Sequence, residues 1–349
     1  MTLETAKSSP DSDAIAAPRP AWYAALASQR LAQGPVAARV LDHDLALWRD
    51  ASGAPRAVHD RCLHRGTQLS LGEVTDGVLA CRYHGWRYGA DGACVHIPSL
   101  VAGQEIPKGF GLRAFPCAER DGYIWAWAGE GTPDRPPTPV DGFDRFHWIQ
   151  GVLILRTTAL AVIENNLDWC HPVFAHPNTH GQFFINQALG FRESEIEMRL
   201  TPRGLVVFAP VTANEADPIP DVTMVRLEYD LPDRVTVGFA AGPTGERRIV
   251  MHMVPTARDE CRQEWMVSMG PVSAGEAQRL TWSDEPQPIF EQDRAVMESA
   301  QRAIAREGHG FERSVDADAP TLLARRVWTA AAQGKWPKAG ARRILKIRT

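Results

Sequence analysis

The chain has 349 residues, 44% hydrophobic and 23% charged, which is room for two domains or one large one and ordinary for a globular protein. A net charge of −4 points away from nucleic acid and anionic membrane surfaces as partners. The longest apolar stretch, about Val152 to Ile163, is broken by Arg156 and is too short to cross a bilayer, so no membrane span is expected.

In chain order, Met1 to Pro20 is rich in Ser, Asp, Ala and Pro and lacks the basic-then-apolar order of a signal peptide; residues 1–20 read as a loose tail. From Val40 to Ala128 the pattern is short and β-like. Leu45 to Trp48 runs into the turn Asp50-Ala-Ser-Gly53 and returns over Arg56 to His59. Phe115 to Arg120 is expected to pair with Tyr123 to Trp127 across Asp121-Gly122, an Asp-Gly hairpin signal. Inside this small all-β module stand Cys62-Leu-His64 and, after a gap of 16 residues, Cys81-Arg-Tyr-His84. Two thiolates and two imidazoles from two facing loops suit a [2Fe–2S] cluster, one iron held by both Cys and the other by both His. The competing chemistry is zinc, but zinc fingers normally show two Cys followed by two His, and the interleaved order fits them poorly. Cys94, Cys117, Cys170 and Cys261 show no framework spacing and read as small buried hydrophobes in a reducing, cytoplasmic compartment.

Gly129 to Pro139 reads as a linker, separating a module at 21–130 from a second one at 131–349. Consecutive period-2 segments follow at Gly204 to Ala209, Thr223 to Tyr229, Arg234 to Phe239, Arg248 to Val254 and Gln263 to Met269, the pattern of an antiparallel sheet. Helical patterning is expected at about Ala161 to Cys170, Pro288 to Arg306 and Pro320 to Gln333. On the first of these, Glu164, Asp168 and His171 fall on one helix face. Pro172 should end or kink the helix and swing His176 back toward His171. Two imidazoles need one carboxylate to make the facial triad of non-haem iron(II) sites. In the segment Pro288 to Arg306, Ile289, Val296, Met297, Ala300 and Ile304 suggest an apolar stripe that contains Asp293. A carboxylate there is either paired or metal-bound, and spacing alone leaves both open.

Arg61-Cys-Leu-His-Arg-Gly66 and Cys81-Arg-Tyr-His-Gly-Trp-Arg-Tyr88 resemble the Rieske-type centre of ring-hydroxylating oxygenases. Asn165-x-x-Asp168-x-x-His171-x-x-x-x-His176, followed far downstream by Glu291-x-Asp293-x-x-x-x-Glu298, resembles the oxygenase (alpha) component of Rieske non-haem iron oxygenases, nearest the vanillate demethylase and dicamba monooxygenase group. The likeness runs from about Trp22 to Trp328. It implies an α+β architecture: an N-terminal all-β Rieske [2Fe–2S] domain and a C-terminal catalytic domain of antiparallel sheet and helices, helix-grip and START-like. It implies Cys62, His64, Cys81 and His84 as cluster ligands and His171, His176 and Asp293 as ligands of a mononuclear iron(II). Asp168 then corresponds to the Asp that bridges to a cluster His of the neighbouring subunit in a homotrimer, and Asn165 to an Asn beside the iron. The implied activity is that of a terminal monooxygenase or dioxygenase that takes electrons from a flavin- or ferredoxin-type reductase. With O₂ it would hydroxylate or O- or N-demethylate an aromatic or other ring-containing small molecule; desaturation uses the same metals. Leu63 stands where the family usually has Pro, and the spacing of Asn165 to Asp168 is that of the demethylase group rather than of the naphthalene-type dioxygenases.

Arg61, Arg65, Arg82 and Arg87 around the cluster suit either docking of an acidic electron donor or a plain solvated rim, and Trp86 either tuning or loop packing. An aromatic-acid substrate would want a pocket Arg, for which Arg226, Arg247, Arg248 and Arg262 are candidates; His180 could line the site. A pure electron carrier and a zinc-stabilised binding module are the functions of other classes that share these motifs.

Overall fold

The computed structural model describes residues 16–32, 34–176, 193–210, 222–241, 245–268, 287–340 and 342–348. Before residue 130 the strands are β1 (Ala21–Ala27), β2 (Val36–Val40), β3 (His43–Arg49), β4 (Pro55–His59), β5 (Glu73–Thr75), β6 (Val78–Ala80), β7 (Arg87–Tyr88), β8 (Cys94–His96), β9 (Ala114–Phe115), β10 (Cys117–Arg120) and β11 (Tyr123–Ala128). They form three small sheets, in the orders β1-β11-β10, β2-β3-β4-β9 and β5-β6-β7-β8. The Asp-Gly hairpin forms, with Asp121 and Gly122 at φ 51° and 77°, the left-handed pair that a tight hairpin turn requires. It starts at Cys117 rather than Phe115, because Pro116 has no N–H to donate and Phe115 pairs instead with Ala57 of β4. The β3–β4 turn is closed by Asp50, whose Oδ1 accepts from the Ser52 and Ala54 amides. Residues 16–20 are not loose: Ala17 is buried and the Tyr23 hydroxyl donates to the Pro18 carbonyl.

Residues 129–142 hold no strand or helix. Beyond them lie β12 (Trp148–Leu155), β13 (Glu193–Thr201), β14 (Gly204–Pro210), β15 (Val222–Asp230), β16 (Arg234–Ala241), β17 (Gly245–Ala257), β18 (Glu260–Ser268) and β19 (Arg342–Arg348). These make one antiparallel sheet in the order β12-β18-β17-β16-β15-β14-β13-β19. Helices α1 (Ala159–Leu167), α2 (His171–Ala175), α3 (Gln287–Glu307) and α4 (Ala319–Ala332) complete the α+β architecture, with α1 against β15 to β18, α4 on α1, and α3 touching α1, α2 and β12. The apolar stretch that cannot span a membrane is the end of β12 and the start of α1, joined where Thr158 caps the helix by accepting from Ala161 N–H at 3.1 Å.

Strand alternation gives the sheet two working faces. Met251 and Trp265 are cross-strand partners on the helix side, where Trp265 meets Phe290 of α3. His252 and Glu264 are partners on the other side, where His252 packs against Tyr123 and Trp125 of β11. Arg262 also faces that seam. It is buried, donates to the carbonyls of Ala24 (2.9 Å), Ala25 (2.7 Å) and Arg39 (2.7 Å), and pairs with Glu264 at 3.1 Å. One continuous core therefore runs from β1 and β11 through the large sheet to α1 and α4, while a second, under the Cys–His loops, gathers Trp48, Leu69, Leu79 and Tyr88.

Candidate metal centres

The two Cys–His loops are built alike. After β4, Cys62 N–H donates to the Thr67 carbonyl and Gly66 N–H to the Cys62 carbonyl; after β6, Cys81 N–H donates to the Trp86 carbonyl and Gly85 N–H to the Cys81 carbonyl. Gly66 and Gly85 close the two loops at φ 74° and 70°, a conformation that side chains resist. The loops bring the four residues together with their polarity sorted. Cys62 and Cys81 are buried, whereas His64 and His84 are exposed, their rings 4.5 Å apart. The Tyr88 hydroxyl lies 3.2 Å from Cys62 Sγ, and the amides of Tyr83 and His84 are directed at the Cys81 sulfur. Two sulfurs inside, with donors aimed at them, and two imidazoles at the rim are a donor set that fits a [2Fe–2S] cluster. Trp86 stacks on His64 at 4.9 Å and 4°, which holds that ring in place. Arg61, Arg65, Arg82 and Arg87 are all exposed around this tip.

The second constellation is assembled from two helices and a break. Helix α1 stops at Leu167, earlier than the expected Cys170, and Asp168 is its C-cap in extended geometry. Pro172 does not end a helix; it sits in the first turn of the short α2, where its missing N–H costs nothing. The kink thus falls before His171 rather than after it, and the Asp168 carbonyl takes the His171 Nδ1–H at 2.8 Å. A carbonyl can only accept, so His171 must carry its proton on Nδ1 and present Nε2 as a lone pair. His176, buried at the end of α2, meets Gln292 Oε1 through Nδ1 at 2.9 Å.

Asp293 of α3 faces both rings, its Oδ1 lying 3.5 Å from His171 Nε2 and 3.1 Å from His176 Nε2. The three ligand atoms lie within 4.8 Å of one another. Although Asp293 is only 6% exposed, neither its Oδ1 nor His176 Nε2 has a hydrogen-bond partner. Converging lone pairs of a half-buried imidazole, a buried one and a buried carboxylate fit a divalent cation with open positions. Burial works against a charged His176, yet the Asp293 carboxylate and Gln292 outweigh it and leave its pKa raised. The pocket already favours positive charge.

Several sequence expectations change. The inward stripe of α3 is Phe290, Asp293 and Met297; Asp293 and Met297 lie on it as expected, whereas Val296 and Ala300 are exposed. Glu164 does not join Asp168 and His171 but forms a two-pronged pair with Arg325 of α4, at 2.6 and 2.7 Å. Asn165 has a buried, unpartnered Nδ2. Asp168 is half-exposed, with Oδ1 accepting from Cys170 N–H at 2.8 Å. Of the candidate pocket arginines, Arg262 is spent in the seam, Arg226 is exposed and pairs with Glu228, and Arg248 pairs with Glu246. The Arg247 side chain, His180 and Met269 lie outside the described residues. Sequence reasoning missed Gln292, which no motif marks, and the role of Tyr88, whose position beside a strand pairing with β6 was the available signal.

The family model of the Rieske [2Fe–2S] domain matches residues 21–116, and that of the vanillate O-demethylase oxygenase C-terminal domain matches 155–334. A putative toluene-4-sulfonate monooxygenase iron-sulfur subunit of Comamonas testosteroni is 37% identical over 164 residues, 46% of either chain. A vanillate O-demethylase oxygenase subunit of a Pseudomonas strain is 31% identical over 176 residues, 49% of this chain and 48% of that one. The matches span less than half the length of these curated relatives. The crystal structure of dicamba monooxygenase bound to dicamba shares the fold, with a TM-score of 0.74 at 23% identity over 92% of this chain and 98% of that one.

Proposed function

The chain belongs to the Rieske non-haem iron oxygenases of the vanillate O-demethylase type, whose cofactors are a [2Fe–2S] cluster and a mononuclear iron, and from that membership we propose that it is a terminal oxygenase component acting on an aromatic small molecule. The observation that carries this reading is the convergence of His171 Nε2, His176 Nε2 and Asp293 Oδ1 on one buried point. Cys62, His64, Cys81 and His84 would hold the cluster, and His171, His176 and Asp293 the iron.

When bound, the cluster supplies electrons one at a time and the iron activates O₂ beside a substrate that need not ligate it. The chain's own residues do the positioning. His64 and His84 would form the exposed edge of the cluster site, amid Arg61, Arg65, Arg82 and Arg87, and a flavin- or ferredoxin-type reductase would be the electron donor. Asp168 fixes His171 through its carbonyl while its half-exposed carboxylate is available to a cluster His of a neighbouring subunit, the arrangement of a homotrimer. Asn165, with its unpartnered amide three residues earlier, is placed beside the iron in the same reading. The division into units at 21–130 and 131–349 is supported by the irregular stretch at 129–142. The absence of disulfides among the six cysteines suits a reducing cytoplasm, and no helix of the described residues is long and apolar enough to cross a membrane.

The relatives named for vanillate, toluene-4-sulfonate and dicamba direct the test to aromatic acids and their methyl ethers. With a surrogate reductase, O₂ uptake that depends on one of these compounds and yields a hydroxylated or demethylated product is expected. A cluster that cycles with no substrate-dependent O₂ uptake across the panel would make the protein an electron carrier instead.

A further inference from the structure

For His171 and His176 to serve as ligands, each must offer Nε2 as a lone pair, so each must keep its proton on Nδ1. The two rings achieve this differently. His171 is set by backbone, the Asp168 carbonyl. His176 is set by a side chain, Gln292, 116 residues away in sequence and 2.9 Å away in space.

Gln292 immediately precedes Asp293 on α3, so consecutive residues bracket one imidazole, the amide oxygen at Nδ1 and the carboxylate 3.1 Å from Nε2. Phe290 and Met297, both buried, fix the rotation of the helix that carries them. Turned the other way, the Gln292 amide would donate to Nδ1, place the proton on His176 Nε2 and close that lone pair to a cation. We propose that Gln292 is a positioning residue that accepts from His176 Nδ1–H, thereby setting the tautomer and ring orientation of His176 and the affinity of the His171–His176–Asp293 site for iron(II). This inference rests on the reading of that triad as the iron site. It gives the triad one backbone-held and one side-chain-held imidazole, only the second of which a substitution can reset.

The test uses the full-length protein with its cluster in place, stripped of mononuclear iron by a chelator and titrated anaerobically with iron(II) alone. Gln292→Leu keeps the bulk but removes the acceptor and is expected to weaken binding by about 10- to 100-fold, the usual effect of losing a ligand's hydrogen-bond partner. Cluster absorbance and thermal midpoint should stay at wild-type values. Gln292→Glu can only accept and is expected to bind iron(II) at least as tightly as wild type. Wild-type affinity in Gln292→Leu, or a loss in Gln292→Glu as large as a missing acceptor would cause, overturns the proposal; the second result stands even if the Leu variant does not fold. Asp293→Ala separates the two levels. If it too binds iron(II) like wild type, the triad reading falls and this inference with it; if it alone loses binding, only the role of Gln292 falls.

Discussion

At residue scale the iron triad and the cluster make separable demands, since Asp293 lies on α3 and the cluster ligands on loops of another module. Asp293→Ala is expected to lose mononuclear iron and keep the cluster, which metal analysis with EPR will read; full iron in both sites would refute the assignment. Asp168→Asn removes a carboxylate charge while retaining the backbone carbonyl that holds His171. Both metals should remain bound and turnover should nearly vanish, measured as coupled product formation with a surrogate reductase. Normal product formation would end the bridging role. Much of this was legible in the sequence, because Cys62 with His64 and Cys81 with His84 lie within one turn of chain each. Gln292 was not, since a lone Gln beside an Asp has no spacing signature and its meaning depends on which ring faces it.

At the scale of elements, the face that a strand presents is decided by what packs on it. Gly151 of β12 lies under the Trp265 ring of β18, where an added Cβ would come 2.1 Å from Cζ2. Gly151→Ala should therefore destabilise the fold by about 1–3 kcal/mol, as overpacked cores do, visible as a lower denaturant midpoint; an unchanged midpoint would mean that Trp265 can move aside. Arg262 holds Glu264 and three carbonyls in the seam. Arg262→Met leaves Glu264 buried and uncompensated and is expected to cost about 3–5 kcal/mol in chemical denaturation. Had Arg262 served instead as a substrate anchor, the same variant would keep its stability and lose substrate affinity. Strands β14 to β16 were foreseen to within two residues at each end and β17 only over its middle, 248–254 of 245–257, because period-2 alternation is local. Strands β12, β13 and β19 were not among the expected segments, although Ile196, Met198 and Leu200 of β13 do alternate with Glu197 and Arg199.

For the whole molecule, the proposed relay needs one subunit's cluster to serve another's iron. A Cys81→Ser variant lacking the cluster and an Asp293→Ala variant lacking the iron should each be inactive alone. Unfolded and reassembled together, they should recover part of the wild-type turnover, because some interfaces then join an intact cluster to an intact triad. No recovery in verified mixed trimers would place the electron path within a single chain.

The sequence by itself offered a Cys–His set suited to a [2Fe–2S] cluster, the pair His171 and His176, and the succession of a small all-β module and a large antiparallel sheet, since ligand pairs, turns and alternation are written over a few residues; it left Asp293 open between pairing and metal. Only the tertiary structure decided the rest. It places the break before His171, the face of α3 that leaves Val296 and Ala300 exposed, the clasp of Gln292 on His176 and the use of Arg262 as a strut between modules. The last two depend on surfaces that meet across more than a hundred residues of chain, and the free energy that selects them, burial of apolar area and pairing of buried polar groups, exists only once those surfaces are in contact.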